Sequence, residues 1–350
     1  MTEKMLGLIK KLEKTSSLEL EEYQYLIENR CAESAELLRE RAVAVRKKYY
    51  GSDVYVRGLI EISNVCKNNC LYCGIRRDND SCERYRLSRE DILNCVDEGY
   101  RIGFRTFVMQ GGEDVHFSDE MLCDIVSEIK KRYPDCAVTL SMGERSRESY
   151  QRLYDAGVDR YLLRHETADE EHYRMLHPKE LSWKRRMRCL QDLKDIGFQT
   201  GCGFMVGSPY QTVKHLAKDL KFIEEFKPEM CGIGPFIPHK ATPFADFPAG
   251  DVELTCYLLS IVRLICPTVL LPATTALGSI DGNGREKGIL SGANVVMPNL
   301  SPAEQRKKYE LYNNKLSINE ESAQGFGMLR ERMKNIGYEV VISRGDAKKI

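Results

Sequence analysis

Three cysteines in "EISNVCKNNCLYCGIRRDND", Cys66, Cys70 and Cys73, are separated by three and two residues just after a strand-like run. Thiolates are soft ligands, and three at this spacing can hold metal. A structural zinc site asks for four protein ligands, commonly in paired short gaps, and no second pair or nearby histidine supplies the fourth. A four-iron, four-sulfur cube held by three thiolates fits the count better, because it leaves one iron open to a small-molecule ligand. Asn68, Asn69 and Gly74 suit the tight loop such a cube requires, and Tyr72 offers it an apolar wall.

Such a loop needs a rigid seat, and the chain's rhythm supplies one. Short β-branched or aromatic runs alternate with longer amphipathic ones, the pattern of βα units around a parallel sheet. Eight strands are expected: "VYVRGLIEIS" from Val54, "TFVMQ" from Thr106, "AVTLS" from Ala137, "RYLLRHE" from Arg160, "TGCGFMVG" from Thr200, "MCGIGPF" from Met230, "VLLPAT" from Val269 and "ANVVMP" from Ala293. Eight units predict an α/β fold with a full (β/α)8 TIM-type barrel, preferred to a six-strand partial barrel or an open doubly wound sheet because the last two runs are as clear as the first. The triplet then falls at the C-terminal strand ends, where such barrels do chemistry. Ser88, followed by Asp91, predicts a helix start before the second strand.

Residues 1–50 read as helices packed on the barrel, 51–312 as the barrel itself, and 313–350 as an extension without cysteines. The 350 residues carry 52 basic and 52 acidic side chains, so the formal charge is zero and nothing favours nucleic acid or an anionic membrane as partner. The N-terminal stretch is charged throughout and no run is long enough to span a bilayer, which makes the cytoplasm the expected compartment. There, the 13 cysteines are expected to be reduced, the unligated ones serving as buried apolar groups.

With an aromatic residue before its third cysteine, the triplet resembles that of the radical S-adenosylmethionine (SAM) superfamily. That resemblance implies one 4Fe-4S cluster on Cys66, Cys70 and Cys73, with SAM chelating the open iron and cleaved reductively. It gives the "QGGED" turn after strand two a use: glycines such as Gly112 let carbonyls approach the SAM ammonium, and Gln110 and Glu113 lie beside it. Ser141 and Glu166, ending strands three and four, are expected on the methionyl or ribose groups, and Arg186 on the carboxylate through its planar fork. Of Arg164 and His165, strand alternation lets one face the lumen, and periodicity leaves open which.

Further stretches, "RYRLSREDI", "DRYLLRHETA", "MVGSP", "CGIGPFIPHKATP", "PATTALG" and "GANVVMPN", make residues 40–312 resemble the FeFe-hydrogenase maturases of the HydE type. This likeness implies action on a small organometallic substrate, an iron-cysteine carbonyl/cyanide precursor, while the dinuclear iron subcluster of the hydrogenase is built. It also implies an electron donor and HydG- and HydF-type maturases as partners. It sets Arg164, Met230, Thr274, Thr275, Met297 and Tyr309 around the lower cavity, and assigns no catalytic residue beyond the cluster and SAM. Some members carry a second cluster on C-terminal cysteines; this chain has none after Cys266, so one cluster is expected. Rival readings are a methylornithine synthase- or biotin synthase-like enzyme and a non-catalytic cluster scaffold. Biotin synthase needs inward cysteines that "TFVMQ", "AVTLS" and "RYLLRHE" lack.

Overall fold

The computed structural model describes residues 1–316 and 323–349. The chain begins with three helices, α1 (Glu3–Thr15), α2 (Leu20–Glu28) and α3 (Ala32–Tyr50). Strands β1 (Asp53–Val56) and β2 (Gly58–Ser63) follow. Then come α4 (Arg89–Arg101), β3 (Thr106–Gly111), α5 (Asp119–Arg132), β4 (Ala137–Ser141), α6 (Arg147–Asp155), β5 (Arg160–Leu162), α7 (Glu170–Leu176) and α8 (Trp183–Ile196). Next are β6 (Gln199–Cys202), β7 (Met205–Val206), α9 (Val213–Phe226), β8 (Met230–Cys231), β9 (Gly234–Pro235) and α10 (Val252–Ile265). The chain continues through α11 (Thr275–Ile280), α12 (Gly284–Leu290), β10 (Val295–Val296), α13 (Ala303–Arg306), α14 (Ala323–Asn335) and β11 (Glu339–Val341).

Parallel hydrogen bonds run β2-β3-β4-β5-β6-β8, and bridges carry the ladder around to close the barrel. Met230 bridges Leu270, Pro272 bridges Val295, β10 pairs with β1, and Asn299 bridges Leu59. The seventh run therefore lies where the sequence puts it but is reduced to bridges. Pro272 has no N–H to give the ladder. The fifth and sixth runs each break into two short strands, β6/β7 and β8/β9, at glycines; Gly203 between the first pair has φ 154°.

Period-two alternation sorts the wall. Ile60, Ile62, Phe107, Met109, Val138, Leu140 and Tyr161 face outward into the main core beneath the helices. Arg57, Glu61, Gln110, Ser141, Arg160 and Arg164 take the alternate positions and face the lumen. Cys202 and Cys231 belong to the outward set. Serines start the surrounding helices: Ser88 Oγ accepts from Asp91 N at 3.1 Å while the Asp91 carboxylate accepts from Ser88 N at 3.0 Å, the capping box expected there. Ser118, Ser146 and Ser182 cap α5, α6 and α8 through their side-chain oxygens alone.

The first three helices lean on α9 and α10, on the flank of the barrel rather than under its floor. Beneath the floor lies the C-terminal segment, whose β11 sits parallel beside β1 as β3 sits beside β2. Part of the tail read from sequence, residues 317–322 and 350, lies outside the described residues. Fully buried Arg160 donates to Asp346 Oδ1 at 2.5 Å, and Gln199 donates to the same oxygen at 2.9 Å. Burial works against the Asp346 charge, yet the bonds from Gln199 and Arg344 and the Arg160 charge hold its carboxyl far below the ordinary range.

Its contribution is therefore complete above the unfolded carboxylate value, roughly 4, and is lost as pH falls through the depressed folded value. Asp346→Ala is expected to destabilise the protein by about 1–3 kcal/mol at neutral pH. Denaturant unfolding should show the wild type and the variant converging in strong acid.

Candidate active site

The loop between β2 and α4 carries the three cysteines, and its backbone is held by neighbours on every side. Lys67 N donates to Glu113 O at 3.0 Å, Leu71 N to Leu176 O at 3.0 Å, and Gly74 N to Leu311 O at 2.8 Å. Arg84, given no role from sequence, organises the interior. Its Nη1 donates to the carbonyls of Asn64 (2.6 Å) and Ile75 (2.9 Å), and its Nη2 to those of Arg76 (2.7 Å), Arg77 (3.3 Å) and Asn79 (3.2 Å). The loop anchors Ile75 in the core and wraps its carbonyls around one guanidinium fork. Asn64 adds bonds to Glu83 O and Lys308 O and accepts from Tyr85 N.

The turn after β3 is stitched to this loop. Gly112 N donates to Ser63 O at 3.1 Å and Glu113 N to Cys66 Sγ at 3.4 Å. A Cβ on Gly112 would run into the Val65 carbonyl and come within 2.7 Å of Cys66 Cβ, so the close approach requires glycine. Asp114, fully buried at its side chain, accepts from Ser63 Oγ at 2.7 Å and from Arg86 at 2.7 and 3.0 Å. The cysteine loop and the β3 exit are one unit.

The donors fit a cluster by their chemistry. Burial pushes all three thiols up, Cys73 to about 12, so they are protonated at neutral pH until a soft cation displaces the protons. Arg186 lies close enough to favour the Cys70 thiolate. Among the described residues no three His, Cys, Asp or Glu side chains gather closely enough for a single ion. A cube sets each thiolate on its own iron and asks for wider spacing. Tyr72, half-buried beside Cys73, is 3.2 Å from His177 Nε2 through its hydroxyl and meets that ring edge-on at 5.4 Å.

The other expected residues fall into two groups. Around the mouth, Glu113 turns back, its Oε1 accepting from Glu144 N at 2.9 Å and its Oε2 lying 3.2 Å from Lys67 Nζ. Arg186 is buried, whereas Arg185 and Arg188 are exposed at their side chains. Its Nε donates to Glu144 Oε1 at 2.7 Å and its Nη1 to Arg164 O at 2.7 Å. Part of the fork expected to meet a ligand is thus committed to Glu144, a residue the sequence reading missed; its place three residues beyond the end of β4 was the available signal. Gln110 and Ser141 are register partners on β3 and β4, and Gln110 Nε2 donates to Tyr309 Oη at 3.3 Å.

The alternation left open at β5 is resolved: His165 is buried in the wall, and Arg164 faces the lumen with its Nη2 3.0 Å from Glu166 Oε2. Both of those atoms lack hydrogen-bond partners among the described residues. Thr274 Oγ1 is likewise buried and unpartnered, while Thr275 begins α11. Met230 lies deeper, its sulfur accepting from Arg57 Nη1 at 2.9 Å in a cluster with Tyr50, Tyr55, Leu270 and Val295, against which Met297 packs. Glu61 and Lys315 form a buried ion pair, and Asn299 Nδ2 donates to Glu61 Oε2 at 2.8 Å. Sequence reading passed over these charges because an acidic strand residue and a tail lysine carry no local motif.

Comparison with known proteins follows this geometry. The Radical SAM superfamily matches over residues 60–223. The chain is 43% identical, over 90% of its own length and 90% of the relative's, to the FeFe hydrogenase maturase subunit HydE of Thermotoga maritima. The structure of a methylornithine synthase superposes with a TM-score of 0.83 at 24% identity, covering 95% of this chain and 97% of that one. A structure of HydG, a maturase of the FeFe-hydrogenase, gives 0.80 at 19%, covering 98% and 77%. These two structural likenesses speak for the barrel alone.

Replacing Arg84 by Gln removes the fork that gathers the loop carbonyls. The anaerobically reconstituted variant is expected to bind less than half the iron of the wild type, with unchanged far-ultraviolet circular dichroism. Full iron content would refute the role given to Arg84.

Proposed function

The chain belongs to the HydE-type FeFe-hydrogenase maturases of the radical SAM superfamily, and from that premise we propose that it acts on an iron-cysteine carbonyl/cyanide precursor in assembly of the hydrogenase's dinuclear iron subcluster. It is a radical SAM enzyme. In this reading it carries one cluster, works in the cytoplasm, draws on a reducing partner and exchanges material with HydG- and HydF-type maturases. Residues 1–50 brace the barrel of 51–312, and β11 with the residues that follow it closes the floor. The observation that carries the reading is three thiols on the C-terminal mouth of a barrel whose lumen is lined by charged and polar side chains, among them Glu61, Gln110 and Arg164.

When bound, the reduced cluster supplies the electron that splits the SAM sulfonium into methionine and an adenosyl radical. The chain's own residues do the holding. Cys66, Cys70 and Cys73 ligate the cluster. Gln110, the carbonyls beside Gly112, and Glu113 receive the SAM ammonium. Ser141 and Glu166 take hydroxyls, Tyr72 gives the cluster an apolar wall, and Arg186, steadied by Glu144, faces the carboxylate. Deeper in the lumen, Arg164, Thr274, Thr275 and Tyr309 offer charge and hydrogen bonds to a polar ligand. Met230 and Met297 floor the cavity with polarisable sulfur, which suits a soft iron compound.

Reduced, reconstituted protein is expected to convert SAM to 5'-deoxyadenosine or an adenosyl adduct, and Cys70→Ser to abolish both cluster and turnover. A scaffold would leave SAM intact. Hydrogenase activity in a maturation mixture should require this protein; activity in its absence would defeat the assigned role.

A further inference from the structure

The turn leaving β5 sends Arg164 and Glu166 into the lumen and His165 the other way. It is a demanding turn: Glu166 has φ 64°, a left-handed conformation that a non-glycine residue adopts only when its surroundings impose it. Those surroundings are visible on the outer side of the wall. Glu166 N donates to Gly203 O at 3.0 Å, and Gly203 N donates to His165 Nδ1 at 3.2 Å, so the backbone of one residue grips the turn twice. With Nδ1 accepting, the proton of the neutral imidazole resides on Nε2.

That nitrogen lies 3.3 Å from Asp219 Oδ1, near but misaligned for a hydrogen bond. The same oxygen accepts from Ala168 N at 2.5 Å, two residues beyond Glu166. Asp219 sits in the middle of α9, fully buried, and its Oδ2 has no partner among the described residues. Phe222 and Phe204 flank the ring at 4.7 and 6.0 Å. Burial drives both groups toward their neutral forms, the imidazole down to about 3 and the carboxyl upward. Neither fills an apolar gap as well as a leucine would. A carboxyl placed in the core of an amphipathic helix calls for a use.

We propose that His165 and Asp219 are positioning residues: the pair clamps the turn on both sides of Glu166, from Gly203 and from Ala168, and so aims Glu166 at the SAM pocket. The inference rests on the reading above that Glu166 lines that pocket. The clamp works through an accepting oxygen on Asp219 rather than through charge, which separates the two informative substitutions.

In anaerobically reconstituted protein of equal iron content, Asp219→Ala is expected to weaken SAM binding by about tenfold or more, read from the change SAM makes in the spectrum of the reduced cluster. The same variant should speed hydrogen exchange at the Ala168 amide by a similar factor. Asp219→Asn keeps the accepting oxygen and is expected to stay within about threefold of wild type on both readouts. His165→Phe, which keeps the ring and loses both nitrogens, should behave as Asp219→Ala and serves if that variant does not fold. Phe222→Leu, a packing control, should lower Tm and leave SAM affinity alone. Wild-type affinity in Asp219→Ala or His165→Phe would overturn the proposal, as would an equal loss in Phe222→Leu or in Asp219→Asn. Glu166→Gln separates the two layers: wild-type affinity there removes the pocket reading itself, whereas a weakened Glu166→Gln beside an unaffected Asp219→Ala removes only the clamp.

Discussion

Three soft donors must be kept apart and open on a loop without regular secondary structure, and the site depends on how that loop is fastened. Its carbonyls have no strand or helix to satisfy them, and a buried backbone oxygen left alone is costly. The guanidinium of Arg84 gathers five loop carbonyls, four of them in part-buried contacts. Gly112 lets the neighbouring turn close in until its backbone touches the first cysteine. The rest of the barrel can be read as the frame that brings these two segments to one rim.

That frame was largely legible in advance, since strand runs and helix caps are local signals. Phe107 and Met109 alternate with Thr106, Val108 and Gln110 as a two-residue period requires, and Ser88 with Asp91 announced its helix. What stayed hidden depends on partners distant in sequence. Arg186 reads like Arg185 and Arg188 until the fold turns it inward; Glu144 pairs with both Arg185 and Arg186, and only Arg186 is buried. Arg164 and His165 are one residue apart, and only the packing of α9 against the wall tells which is inside. Pro272 shows the reverse case: a local property visible in the sequence trimmed a strand that pattern alone extended. β11 escaped notice because three residues with one buried position carry no period at all.

The lumen is unusually charged for a barrel interior. Glu61 with Lys315, Arg160 with Asp346, and Arg57 against a thioether all lie where small barrels place branched aliphatic side chains. Ion pairs of this kind add little to stability compared with well-packed apolar residues. Set at successive heights, they leave the barrel axis polar rather than filled with aliphatic side chains. The apolar weight of the molecule lies instead between the sheet and its helices, so the interior can be polar without loosening the fold.

The pairing of β1 with both β10 and β11 also bears on biosynthesis. The first strand to leave the ribosome is flanked by two of the last, so its edges stay bare while most of the polypeptide is made. During that interval the cysteine loop exists without its finished seat, which is complete only when β10 and β11 are in place beside β1.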